Sequence, residues 1–156
     1  MGIFVTELEA FTAVGVCWKG TFKQAQAGEI RTFMQEFRER LGELPQDADK
    51  SEIIGLSYDV TSEGFTYYLC CKVPDSNGQL PEGMEQITVP ALTYASYEHT
   101  AEEEVNESYT NIYGWIESNG YRANDEINME HVEIYPSDYH PINERPRLTI
   151  HIPIKR

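Results

Sequence analysis

Cations are scarce in this chain. Of its 156 residues, 12 are lysine or arginine and 26 are aspartate or glutamate, a net charge of −14, and no basic cluster interrupts the excess. Such a field repels a phosphate backbone, so direct binding to DNA or RNA is not expected. Long hydrophobic runs are also missing: no segment approaches the ~18 apolar residues of a membrane span. The opening MGIFVTELEAF has neither the basic start nor the apolar stretch of a secretory leader. These absences predict a soluble, cytoplasmic protein that does not associate with membranes.

Cysteine is sparse and odd in number: Cys17, Cys70 and Cys71. The adjacent pair would point to opposite faces of a strand and could not close a disulfide without strain, so buried, reduced thiols are expected. The histidines His99, His131, His140 and His151 lack the close spacing of a zinc site. No metal or cofactor is expected, and no Ser-His-Asp or Cys-His arrangement for covalent catalysis can be identified.

What the chain does have is 40% hydrophobic and 12% aromatic residues, ten of them tyrosines, enough for one domain with a sizeable core. Its grammar is written twice. Thr21 and Gln24 stand at capping-box spacing before a helical pattern, and so do Thr100 and Glu103. The shift of about 79 residues lays Trp18 on Tyr97, Leu69 on Leu148, Val73 on Ile152 and Pro74 on Pro153. Each half then reads strand, helix, strand, strand: 11–18, 23–41, 53–60 and 65–73, then 88–97, 101–119, 131–135 and 148–154. Gly42 and Gly120 would be left-handed helix caps. A tandem βαββ repeat, about 1–78 and 79–156, predicts a single α+β domain with pseudo-two-fold symmetry, an antiparallel sheet, two helices and a groove between the halves.

Ile30, Phe33, Met34, Phe37 and Leu41 form one apolar helical stripe, and Val105, Tyr109, Ile112 and Ile116 form another. Tyr113 and Trp115 lie on the second stripe's edges, where they would either seal the core rim or line the groove.

Within MEHVEIYPS the face of Glu133 decides the function. The repeat shift lays Glu133 on Ile54 and Tyr135 on Leu56, apolar positions whose alternates are mostly small or polar, so Glu133 is expected to project inward. A buried carboxylate with no arginine or lysine beside it, Arg122 and Arg145 being in expected loops, is a site for a ligand cation. Trp18, Tyr68, Tyr97, Trp115 and Tyr135 would be the aromatic walls, since ring faces attract cations and stack on flat ligands.

The stretch from TVPALTYASYEHT through YGWIESNGYR, followed by VEIYP and the closing LTIHIPIK, resembles the effector-binding domain of GyrI-like proteins, also found in AraC- and MerR-type multidrug-responsive regulators. The likeness covers nearly the whole chain. It departs after His99, where the family's glycine-containing turn is replaced by TAEEE. The resemblance implies a tandem βαββ sheet whose groove faces lipophilic, often cationic aromatic compounds, with Glu133 as the charge partner. No stretch is left for the DNA-binding domain of the regulators, which predicts a stand-alone binding module.

Three functions follow. The first is sequestration or sensing of hydrophobic or cationic aromatic small molecules by Glu133, Tyr135, Trp115, Tyr97, Trp18 and Tyr68. The second rests on relatives that open strained cyclopropane rings in DNA-alkylating natural products; there Glu133 would handle water and Tyr135 would donate a proton. The third is an acidic protein partner acting on DNA gyrase.

Overall fold

The structure, a computed structural model, describes residues 2–74 and 80–156. Part of the expected loop between the halves, and with it the expected repeat boundary, lies outside the described residues. The elements run β1 (Phe4–Leu8), β2 (Phe11–Thr21), α1 (Phe22–Gln26), α2 (Glu29–Glu39), β3 (Asp49–Tyr58), β4 (Gly64–Val73), β5 (Glu85–Val89), β6 (Leu92–His99), α3 (Val105–Ser118), β7 (Arg122–Ala123), β8 (Met129–Pro136) and β9 (Leu148–Lys155). This is the α+β architecture that the duplicated pattern predicts. The strands pair antiparallel in the order β1-β6-β9-β8-β3-β4-β2-β5, with the short β7 against the end of β9.

The two ends of that order are tied together by the chain. β1 passes into β2 through Glu9 and Ala10, and β5 into β6 through Pro90 and Ala91. So few residues span only ~10 Å, and the sheet must curl back on itself. The single strand expected over 88–97 is instead two strands with different partners, divided at Pro90, which cannot donate to a strand ladder.

The curled sheet has apolar residues on both faces. On one face Met34 and Phe37 of α2, and Ile112 and Ile116 of α3, pack with Leu69, Cys71, Ile150 and Ile152. On the other, Ile54, Leu56, Cys70, Val89, Tyr94 and Val132 form a second cluster. Each fully buried leucine, isoleucine or phenylalanine contributes ~1.5–3 kcal/mol. The adjacent cysteines divide between the two cores as strand alternation requires, and all three cysteines are unpaired.

The helices differ from their expected bounds for local reasons. The capping box of α1 forms: the Thr21 hydroxyl accepts from the Gln24 amide at 3.1 Å, and the Gln24 side chain accepts from the Thr21 amide at 2.8 Å. That helix then breaks at Gly28, whose φ of 104° is left-handed, and restarts as α2. In the second half the same spacing closes only a turn, with Glu103 accepting from the Thr100 amide at 2.9 Å. α3 begins later, capped by Glu104, which accepts from the Glu107 amide at 2.8 Å. Its end matches expectation: Gly120 is left-handed, and the Tyr121 and Gly120 amides donate to the carbonyls of Ile116 and Glu117. Gly42 is not left-handed; it sits in a 3-10 turn over Leu41–Glu43.

Candidate functional site

β3 and β8 are the central pair of the strand order, one from each half. Their register sets Ile53 opposite Tyr135, Gly55 opposite Glu133 and Ser57 opposite His131, so these six positions share one face. It is the helix-covered face, since Ile53 and Tyr135 belong to the core that holds the helix residues. α3 packs over β6 and β7 while α1 and α2 pack over β2, so the seam runs between the two helical layers.

Glu133 therefore points inward, but not by the register the repeat suggested. Ile54 pairs with Ile134 and lies on the opposite face. The shift preserves the face from β2 to β6 and from β4 to β9, and changes it by one residue from β3 to β8. The connections leading into β3 and β8 differ in length, and strand parity follows that length.

The half-buried Glu133 carboxylate is wrapped by phenols. Tyr67 on β4 donates to Oε1 at 2.8 Å, Tyr135 on β8 donates to the same oxygen at 3.1 Å, and Tyr109 on α3 donates to Oε2 at 2.5 Å. Burial, and next the charge of Glu133 itself, hold all three phenols well above their ordinary pKa, so they stay protonated donors across the usual pH range. Among the described residues Glu133 forms no ion pair. Its negative charge is solvated by hydroxyl dipoles and is not neutralised by a cation.

Gly55 makes this arrangement possible. A Cβ there would lie 2.2 Å from the Tyr67 hydroxyl oxygen and 2.8 Å from Cζ, so only glycine lets that ring reach Glu133. Beyond the carboxylate the aromatic surface continues. Trp18 pairs with Tyr67 in register, and its ring lies 5.3 Å from Phe65. Tyr109 lies 4.7 Å from the His131 ring, and Tyr135 stacks on Tyr139 at 5.2 Å. Tyr113 Oη and His131 Nε2 are 2.8 Å apart. Burial lowers the His131 pKa to about 4, so this imidazole is neutral near pH 7.

The six residues expected at the site are not all brought together. Glu133 and Tyr135 touch. Trp18 shares their face, beside Tyr67. Tyr97 also shares the face but gives its hydroxyl to Glu103. Trp115 stacks on Tyr121 with ring centroids 6.0 Å apart, toward the β7 side of α3. Tyr68 is placed on the opposite face, edge-on to Tyr58 and against the second core, because it alternates with Tyr67 along β4. Of the Tyr67–Tyr68 pair it is Tyr67, not the expected Tyr68, that reaches Glu133, and Tyr109, expected only as a packing residue, reaches it too. The signal for Tyr67 was its parity with Leu69 and Val73. Nothing in the sequence marked Gly55 as the space for its ring.

Residues 1–155 match the GyrI-like small molecule binding domain. Among curated proteins no relative matches. Among solved structures, SAV2435 bound to tetraphenylphosphonium aligns with a TM-score of 0.69 at 16% identity, covering 99% of this chain and 94% of that one. The EcmrR C-terminal domain aligns with a TM-score of 0.71 at 15% identity, over 99% of this chain and 98% of that one. A hydrolase from Listeria innocua, encoded by lin2189, aligns with a TM-score of 0.54 at 13% identity, over 97% and 91%. At such identities the likeness is one of fold. The match over nearly the full length, on a duplicated α+β sheet, means that the chain belongs to the family of GyrI-like small molecule binding domains.

Proposed function

We propose that this chain binds lipophilic, cationic aromatic compounds at the β3–β8 seam, with Glu133 as the charge partner and with Trp18, Tyr67, Tyr109 and Tyr135 as ring surfaces. The observation that carries this reading is the Glu133 carboxylate, inward-facing, held by three phenols and without an ion pair among the described residues. A carboxylate in a low-dielectric setting attracts a cation more strongly than one in water, and aromatic faces add cation–π attraction of ~0.5–2 kcal/mol each. That SAV2435, with the same fold, was solved with tetraphenylphosphonium supports the ligand class.

Isothermal titration with tetraphenylphosphonium and with a rhodamine tests it. Glu133→Gln keeps the shape and removes the charge; affinity is expected to fall at least about tenfold, ~1.4 kcal/mol. Equal affinity in both proteins would remove the charge role.

A second reading draws on the Tyr135–Glu133 hydrogen bond and on the neighbour described as a hydrolase. Glu133 would take a proton from a water as its oxygen bonds to a cyclopropane carbon; the ring C–C bond breaks toward the conjugated carbonyl, whose oxygen takes a proton from Tyr135, and the proton on Glu133 restores the tyrosine. Incubation with a cyclopropane-bearing alkylator, followed by mass spectrometry, decides: product carrying one added water supports turnover, and unchanged compound leaves binding alone.

A further inference from the structure

The hydrogen-bonding capacity of Glu133 is nearly full before any ligand arrives. An ionised carboxylate offers about four lone-pair positions on its two oxygens. Tyr67 and Tyr135 both donate to Oε1, and Tyr109 donates to Oε2. One acceptor position, on Oε2, is left over. We propose that this saturation makes the site selective for cations that donate few or no hydrogen bonds, such as quaternary phosphonium and ammonium centres, over primary ammonium groups of the same shape. The proposal rests on the cation-binding reading above and adds to it the rule by which cations are sorted.

The physical reason is a count of partners. A primary ammonium carries three N–H donors, each satisfied by water before binding. At Glu133 it finds one free acceptor position; to gain more it must displace a phenol, and Tyr67 and Tyr135 are 3% and 8% exposed, so a displaced hydroxyl has little water to turn to. A quaternary centre has no such demand. It gives up a weaker hydration shell, leaves the three phenols in place and rests its diffuse charge on the rings. Tyr67 is the most sensitive element of this filter, because its reach depends on Gly55. Gly55 is a positioning residue: it acts on the ligand through Tyr67.

The experiment is a calorimetric series on 4-phenylbenzylammonium and its N,N,N-trimethyl derivative, with tetraphenylphosphonium as reference, at pH 7. Methyl groups bring their own apolar gain, so the quantity read is the trimethyl-to-primary affinity ratio in wild type compared with Tyr67→Phe and Gly55→Ala. Wild type is expected to favour the trimethyl compound by at least about tenfold. Tyr67→Phe frees a lone pair without removing the ring, and Gly55→Ala pushes the hydroxyl away; each is expected to lower the trimethyl-to-primary ratio roughly threefold or more. A ratio unmoved in both variants, or a wild type that favours the primary amine, overturns the selectivity rule while leaving cation binding intact. No binding of any of the three cations overturns both readings together.

Discussion

The two halves share a plan and divide the labour. At the centre of the sheet the first half contributes Gly55 and the second contributes Glu133, directly opposite in register. The first half also supplies Tyr67, while the second supplies Tyr109 and Tyr135. One copy thus brings the charge and the other the room for a phenol to reach it. The same asymmetry runs through the helices, broken at Gly28 in the first half and continuous in the second. It extends to the titratable groups, since all four histidines fall in the second half. Once a fold has been duplicated, each copy can lose what the other keeps, and a site at their shared seam can be built from unlike parts.

Acid should break this comparison most forcefully. Burial lowers His131 and His151 to about 4, against ~6.5 in an unfolded chain. Between those values the unfolded state binds more protons than the folded one, so stability is full above about pH 6.5 and is lost as pH falls toward 4. Each histidine accounts for up to roughly 3 kcal/mol of that loss. Urea unfolding at pH 7.5 and 4.5 should show it, with a smaller difference in His131→Phe and in His151→Phe; an undiminished difference would place the acid sensitivity outside these two histidines.

A smaller effect is expected at the seam. Gly55→Leu drives a side chain into the Tyr67 ring and should lower stability by ~1–3 kcal/mol, more than Glu133→Gln, which keeps an acceptor for the phenols. Thermal melts that rank the two substitutions the other way would mean that the room at Gly55 matters less than the charge. The smallest difference separates the two look-alike capping motifs. Thr21→Ala removes a working helix cap and should cost ~1 kcal/mol, whereas Thr100→Ala loosens a turn that stops short of α3 and should stay within about 0.5 kcal/mol. Equal losses in chemical denaturation would restore the symmetry that the structure denies.

Much of this molecule was written in local patterns. Thr21 with Gln24 starts a helix, Gly120 ends one, and Leu69, Val73, Leu148 and Ile152 keep their face through the repeat because each lies on a strand of matching parity. What escaped the sequence depends on distant parts. Pro90 is compatible with one bent strand or two, and only the pairing of β5 with β2 and β6 with β9 decides. Glu133 is expected in the interior through Ile54, which faces the other way; both faces of β3 are buried, so the face of Gly55 and Ser57 is also interior despite its small and polar residues. The choice between Tyr67 and Tyr68, and the role of Tyr109, required knowing that α3 lies over the same face as β4's odd-numbered residues. Tyr135 is linked to Glu133 by strand alternation, but the other two partners, Tyr67 and Tyr109, come from elements 66 and 24 residues away, and no spacing rule links them to it.

The leading strands are exchanged: β1, which opens the first copy, zips onto β6 of the second, and β5, which precedes β6, zips onto β2 of the first. Each copy therefore holds the other by one arm, like two people with wrists crossed. Expressed alone, either copy would be left with a bare edge and an unclaimed arm, and the two fragments, mixed, should find each other and rebuild the whole.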